Sequence, residues 1–212
     1  MRIEKALHKF NGQPLTQQIL MDLLKEYQWP HNKVRNLVDR NVLIPVKRGL
    51  YITGPEMDML RPSLNLLANH IYGPSYVSME TALSWWGMIP EKVTAISSMT
   101  TGKTKIFRTK LGRFMYVHAK LPYYSYGIQQ VTLAENQSAL MASKEKALCD
   151  KIVTTKGTLL RSIQQTMDWL IEDMRMEKQM LKQLDTRAIN SWLGHAPKKQ
   201  SLSLLVKTLD SL

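Results

Sequence analysis

Hydrophobic positions in the first forty residues repeat with the period of a helix. In three successive stretches they fall three or four positions apart, as on the buried side of an amphipathic helix. They are Ile3, Ala6, Leu7 and Phe10, then Ile19, Leu20, Leu23 and Leu24, then Val34, Leu37 and Val38. The pattern predicts helices over residues 2–10, from Thr16 to about residue 27, and over residues 31–41. Thr16 is a favourable N-cap for the second.

The pattern changes to that of two short strands over residues 42–46 and 50–53. Lys47, Arg48 and Gly49 lie between them and predict a tight basic turn. Three helices followed by a hairpin are the order of a winged helix-turn-helix. We therefore expect a DNA-binding domain over residues 1–60, with the third helix in the major groove and the hairpin as the wing.

A boundary is predicted at residues 55–62, which contain Pro55 and Pro62. Beyond it, helices are expected from about residue 63 to 72 and through Trp85. Alternating segments at 93–98, 104–109 and 113–118 predict three strands of an antiparallel meander. Residues 128–133 and 139–141 are expected to be extended, and Ser143 is predicted to be the N-cap of a helix over 144–155. The expected class is α+β, with a second domain over residues 61–212.

The C-terminal third is predicted to be helical. Its apolar stripe contains Leu160, Ile163, Met167, Leu170, Ile171, Met174, Leu181 and Leu184. The stripe predicts one helix of about 26 residues, long for a globular protein. Either a core helix or a partner-binding helix fits, and shorter helices are expected near 187–194 and 201–211.

The net charge indicates a class of partner. The 212 residues carry a formal net charge of +12, which favours a polyanionic partner. The charge is spread along the chain, but it is concentrated around residues 33–48 and from Lys103 to Lys120, a stretch with six bases and no acid.

The first basic cluster supplies the expected DNA contacts. With its apolar face buried, the third helix presents long cations for phosphates and amides for base edges. The predicted contacts are Asn32, Lys33, Arg35, Asn36 and Arg40 on this helix, Lys47 and Arg48 on the wing, and Gln17 and Gln18 in the first turn of the second helix. Asn32 and Asn36 are the candidates for base reading. The alternative is that these charges only solvate a surface.

The second cluster forms another basic surface, with Lys103, Lys105, Arg108, Lys110 and Arg113. It would either extend the DNA footprint or contact an acidic partner, and charge alone does not choose between them.

Candidate catalytic motifs are incomplete. Gly102-Lys103-Thr104 ends like a phosphate-binding loop, but Ser97 stands where the first glycine is required. Ser143 and Lys146 match a short acyl-transfer pattern without its companion motifs. The five histidines are scattered, and Cys149 lies in an apolar stretch that predicts a buried thiol. We expect no enzyme activity, no cofactor and no metal site. The absence of an apolar leader or spanning segment predicts a cytoplasmic protein with no membrane partner.

Several segments together resemble a known family. They are Tyr76 to Leu83, Gly87 to Glu91, Met99 to Thr109, Gly112 to His118 and Ala142 to Asp150, with the wing end at Arg48 to Tyr51. In this order they resemble the AbiEi antitoxins of bacterial type IV toxin–antitoxin systems, over about residues 15–155.

The resemblance implies a specific function. It implies a winged helix that binds operator inverted repeats and represses its own operon, and a C-terminal domain that counteracts a nucleotidyltransferase-like toxin. Inverted repeats suggest two copies on DNA. The alternatives are a stand-alone winged-helix regulator, a protein-interaction module, or a nucleic-acid enzyme, which the absence of Asp and Glu from residue 92 to 134 disfavours.

Overall fold

A computed structural model describes residues 3–91 and 93–212. Over these residues the fold is α+β, as predicted. It contains ten α-helices, a three-stranded sheet and a six-stranded sheet, whereas only a small antiparallel sheet was expected in the second part. Arg2, the first residue of the first predicted helix, lies outside this range. Among the helices described, none has the length and apolar character needed to cross a membrane.

The N-terminal part contains the three predicted helices. α1 spans Ile3–Leu7 and continues as a 3-10 turn, His8–Phe10; α2 spans Gln17–Leu23, and α3 spans Pro30–Asp39. Thr16 caps α2 as expected, because its hydroxyl accepts a hydrogen bond from the Ile19 amide at 3.3 Å. Pro30 occupies the first turn of α3, where no intrahelical donor is required.

Three strands complete this part. β1 spans Leu15–Thr16, β2 spans Leu43–Lys47 and β3 spans Leu50–Thr53, in the antiparallel order β1-β3-β2. The β2–β3 hairpin is the predicted wing. Strand β1 was not predicted, because two residues are too few to show an alternating pattern.

The second part is built on the six-stranded sheet. Its strands are β4 (Ser75–Val77), β5 (Ala95–Thr100), β6 (Lys105–Thr109), β7 (Gly112–His118), β8 (Ile128–Ala134) and β9 (Gln137–Ala142). The helices α4 (Leu64–Ile71), α5 (Met79–Trp85) and α6 (Lys144–Thr154) are interspersed with them. As expected, Ser143 caps α6, since its hydroxyl accepts from the Lys146 amide at 3.2 Å.

The strand order corrects the predicted meander. The order is β6-β7-β5-β4-β9-β8, so β7 lies between β5 and β6 and is parallel to β5. The two-residue turn at 110–111 closes β6 and β7 into a hairpin. The predicted meander was wrong because the alternation of apolar and polar residues indicates where strands form. It does not indicate which strands lie next to each other in the sheet.

The prediction of a single long C-terminal helix is also wrong. The chain forms α7 (Ile163–Asp168), a π-helical turn (Trp169–Asp173), α8 (Lys178–Leu181), α9 (Thr186–Trp192) and α10 (Lys199–Asp210). Met174 and Met176 are both buried, at 8% and 2% exposure. Residues two apart lie on different sides of a helix, so the chain leaves the helix here, with Arg175 at a φ of 51°.

The buried apolar residues form two clusters. One lies within residues 3–57. The other fills the second part and also includes Val46, Leu50 and Ile52 of the wing. The wing therefore shares a buried cluster with residues beyond the boundary predicted at residues 55–62.

Candidate nucleic-acid interface

Helix α3 presents a narrow polar surface to solvent. Val34 and Leu37 are buried at 5% and 0% exposure, and they anchor the opposite side of the helix. At 100° per residue, Asn32 and Asp39 lie farthest from this side, and Asn36 and Arg35 come next, one on each flank. All four are exposed. The two asparagines predicted to read bases therefore both lie on the exposed side of the helix.

The flank of α3 nearest the wing borders an open cleft of about 330 Å³. Its lining residues are Gln17, His31, Val34, Arg35, Val38, Pro45 and Tyr51. Arg35 is exposed here, so its guanidinium remains available to a ligand.

The other flank of α3 turns toward α1. The Lys33 ammonium lies 5.5 Å from the centre of the Tyr27 ring, a cation–π contact. Arg40 lies 3.7 Å from a Glu4 carboxylate oxygen. Lys33 and Arg40, both predicted to contact DNA, therefore contact other side chains of the protein. Helical spacing alone does not reveal these contacts.

The two wing cations differ in their surroundings. Arg48 is exposed in the turn, where Gly49 has a φ of 78°. Lys47 is half-buried, and its ammonium donates a hydrogen bond to the Ile71 carbonyl at the end of α4. Burial lowers the pKa of Lys47, and the nearby charge of Lys105 lowers it further. Lys47 thus connects the wing to the second part of the chain, and Arg48 is the available cation of the turn.

Gln17 and Gln18 also differ in their exposure to solvent. Gln18 is exposed, whereas Gln17 is half-buried, with its Oε1 atom accepting from the Tyr51 hydroxyl at 3.2 Å. Its Nε2 atom lies 3.5 Å from His31 Nδ1. Sequence reasoning missed Tyr51 and His31, although the Arg-Gly-Leu-Tyr end of the wing pointed to this region.

The second basic surface is divided between two faces of the sheet. All five of its predicted cations are exposed. Lys105 lies over the Phe107 ring at 4.9 Å, near Lys47 and the wing. Arg108 is directly opposite Arg113 in the β6–β7 ladder, one position out of phase with Phe107, so this pair belongs to the other face.

A buried hydrogen-bonded network joins two segments that carry the family resemblance. Asp150 Oδ2 accepts from the Ser78 hydroxyl at 2.7 Å and from the Tyr76 hydroxyl at 2.9 Å. Asp150 Oδ1 accepts from Lys146 Nζ at 2.8 Å and from the Tyr123 hydroxyl at 2.9 Å. These motif residues are therefore buried, with no surface exposed to a partner.

Burial governs the protonation of this network. It raises the pKa of the Tyr76 and Tyr123 hydroxyls, and the Asp150 charge adds to the effect. Burial likewise raises the pKa of Cys149, which is completely buried as predicted. Burial lowers the pKa of Lys146, which Asp150 opposes. Within residues 3–91 and 93–212, no group of three or more His, Cys, Asp or Glu side chains is placed to bind a metal ion.

Comparison with known proteins finds similarity only at the level of the fold. No family model and no curated protein matches the sequence. The fold is similar to the crystal structure of the Rv2827c protein from Mycobacterium tuberculosis, with a TM-score of 0.62 at 13% identity. The similarity covers 98% of this chain and 76% of that one, and at this identity it concerns the fold alone.

Proposed function

We propose that the protein is a DNA-binding antitoxin that represses its own operon and counteracts a nucleotidyltransferase-like toxin. DNA binding is supported by the polar surface of α3, on which Asn32, Arg35 and Asn36 are all exposed. Amides in this position pair with adenine edges in the major groove, and guanidinium groups pair with guanine or phosphate.

The wing adds a second contact in this proposal. Arg48 is exposed at the tip of a hairpin whose side chains pack on the second part of the chain. Because Val46 and Leu50 are buried on either side of the turn, the backbone that carries Arg48 is held in place. Lys105 lies close enough to Lys47 of the wing for their charges to interact, and it adds to the positive charge there.

A binding assay with matched variants tests the DNA-binding step. The triple variant Arg35→Ala, Asn36→Ala, Arg48→Ala removes two cations and one amide. The control Lys178→Ala, Gln179→Ala, Lys182→Ala removes the same groups from exposed positions on and beside α8. On DNA from upstream of the chain's own coding sequence, we expect affinity to fall at least about tenfold for the first variant only. Equal affinities for the two variants would contradict the proposed interface.

Antitoxin activity is proposed from the family resemblance and has its own test. The full-length triple variant is co-expressed in the cytoplasm with a nucleotidyltransferase toxin encoded beside it. We expect growth to be restored as by the unaltered protein, because neutralisation is assigned to residues 61–212. If the unaltered protein gives no rescue but still binds DNA, the alternative of a stand-alone winged-helix regulator is favoured.

A further inference from the structure

The cleft between α3 and the wing is formed where three chain segments meet at Gln17. The Gln17 backbone amide donates to the Gly49 carbonyl at 2.8 Å, which ties the start of α2 to the wing turn. Its side chain lies between Tyr51 of β3 and His31 of α3. Gln17 therefore has little freedom to move with respect to either element.

The Gln17 amide lies between the Tyr51 hydroxyl and the His31 ring. The hydroxyl donates to Oε1, so Nε2 is the atom that faces His31. The Gln17 amide is a donor only through this nitrogen. This contact suits the His31 tautomer that accepts at Nδ1, and that tautomer has its N–H donor at Nε2, on the other edge of the ring.

The lining of the cleft is suited to one kind of ligand. The polar groups available from Gln17, His31 and Arg35 are donors, and no Asp or Glu is among its lining residues in the described chain. Val34, Val38 and Pro45 supply an apolar wall. A phosphate that carries a deoxyribose matches both features, because its oxygens only accept and its sugar has an apolar face.

We propose that this cleft binds one phosphate of the DNA backbone. Gln17, His31 and Arg35 donate to it, and Tyr51 is a positioning residue that orients Gln17. The cleft lies to the side of the Asn32–Asn36 line, so this phosphate belongs to the strand that borders the groove entered by α3. The assignment rests on the proposed DNA binding and names a contact within it.

The assignment is tested by replacing one backbone phosphate of the DNA at a time with an uncharged analogue. The probe is a 24-base-pair duplex selected from a random pool by the full-length protein. Each backbone phosphate near the footprint is replaced in turn by a methylphosphonate, and affinities are measured for the unaltered protein and for Gln17→Ala, Arg35→Ala and Tyr51→Phe. Gln129→Ala, at an exposed position on β8, is the control.

We expect one methylphosphonate to weaken binding by about tenfold in the unaltered protein. The same replacement should have a much smaller effect on Gln17→Ala and Arg35→Ala, since the contact is already lost. Tyr51→Phe should reduce the effect of that one position and of no other, whereas a general loss of folding would weaken binding at every position equally. Gln129→Ala should behave as the unaltered protein.

The outcomes separate this inference from the proposed function. If the protein selects a duplex but no methylphosphonate position couples to Gln17 or Arg35, the phosphate assignment is wrong and DNA binding stands. If coupling is found for Gln17 and Arg35 but not for Tyr51→Phe, the positioning role of Tyr51 is wrong. If no duplex is selected, the proposed DNA binding fails, and the phosphate assignment fails with it.

Discussion

The Lys146 ammonium lies 2.8 Å from the Asp150 carboxylate, one helical turn along α6, and both side chains are completely buried. A buried ion pair is stable only when its remaining hydrogen-bonding capacity is satisfied. Tyr76, Ser78 and Tyr123 supply three further donors to Asp150. These donors come from β4, from the residue after it and from a 3-10 turn over Tyr123–Ser125. The carboxylate therefore holds separate elements in one arrangement.

Removal of this carboxylate should destabilise the protein strongly. Asp150→Ala leaves the Lys146 charge buried without its partner, so we expect the free energy of unfolding to fall by about 3–5 kcal/mol. Urea denaturation measures the change. Glu4→Ala is the control, because it breaks the partly exposed pair with Arg40 and should cost less than about 1 kcal/mol. Similar losses in the two variants would show that the buried network does not stabilise the fold.

The two wing cations should give opposite results when replaced. Lys47→Ala removes the hydrogen bond to the Ile71 carbonyl, so we expect a loss of about 1 kcal/mol in unfolding free energy and little change in the salt dependence of DNA binding. Arg48→Ala should leave stability nearly unchanged but lower the slope of log K against log salt by about one. Denaturation and salt titration of each variant distinguish the roles, and the reverse pattern would refute them.

Gly54 should tolerate no side chain. A Cβ atom at this position would lie 1.8 Å from the Asn41 carbonyl oxygen, a backbone atom that cannot move away independently. Gly54→Ala should therefore destabilise the winged helix by about 1–3 kcal/mol or more. Gly194→Ala is a suitable comparison, since nothing lies within 4 Å of its Cβ position. We expect thermal denaturation to separate the two variants, and equal melting temperatures would count against the close contact.

Alkaline pH should weaken the fold through the buried phenols. Tyr76 and Tyr123 keep their protons in the folded state above the ordinary tyrosine pKa of about 10. The unfolded chain loses these protons, so it binds fewer protons than the folded one and stability falls as pH rises from about 10.

The variant Tyr123→Phe isolates one of these groups. Above pH 10, its unfolding free energy should fall less steeply than that of the unaltered protein, by up to about 1.4 kcal/mol per pH unit. Urea denaturation at several pH values gives both slopes. Parallel slopes would mean that Tyr123 ionises alike in the folded and unfolded states.

Local sequence patterns predicted the helices and strands of this protein better than they predicted which of these elements pack against one another. The caps at Thr16 and Ser143 were confirmed, because a side-chain cap depends on residues within the next turn. The third helix and the hairpin were also found close to their predicted bounds. The meander and the long C-terminal helix failed, because strand order and the burial of both Met174 and Met176 depend on residues distant in sequence.

The candidate site divides in the same way. The sequence by itself determined that α3 has a buried apolar side and an opposite polar side, since both follow from spacing along one helix. Only the tertiary structure decided that Lys33, Arg40 and Lys47 contact other parts of the protein while Arg35 and Arg48 remain available. The physical reason is that periodicity orients a side chain about its own helix or strand, whereas its partner is determined by whichever element packs against that side.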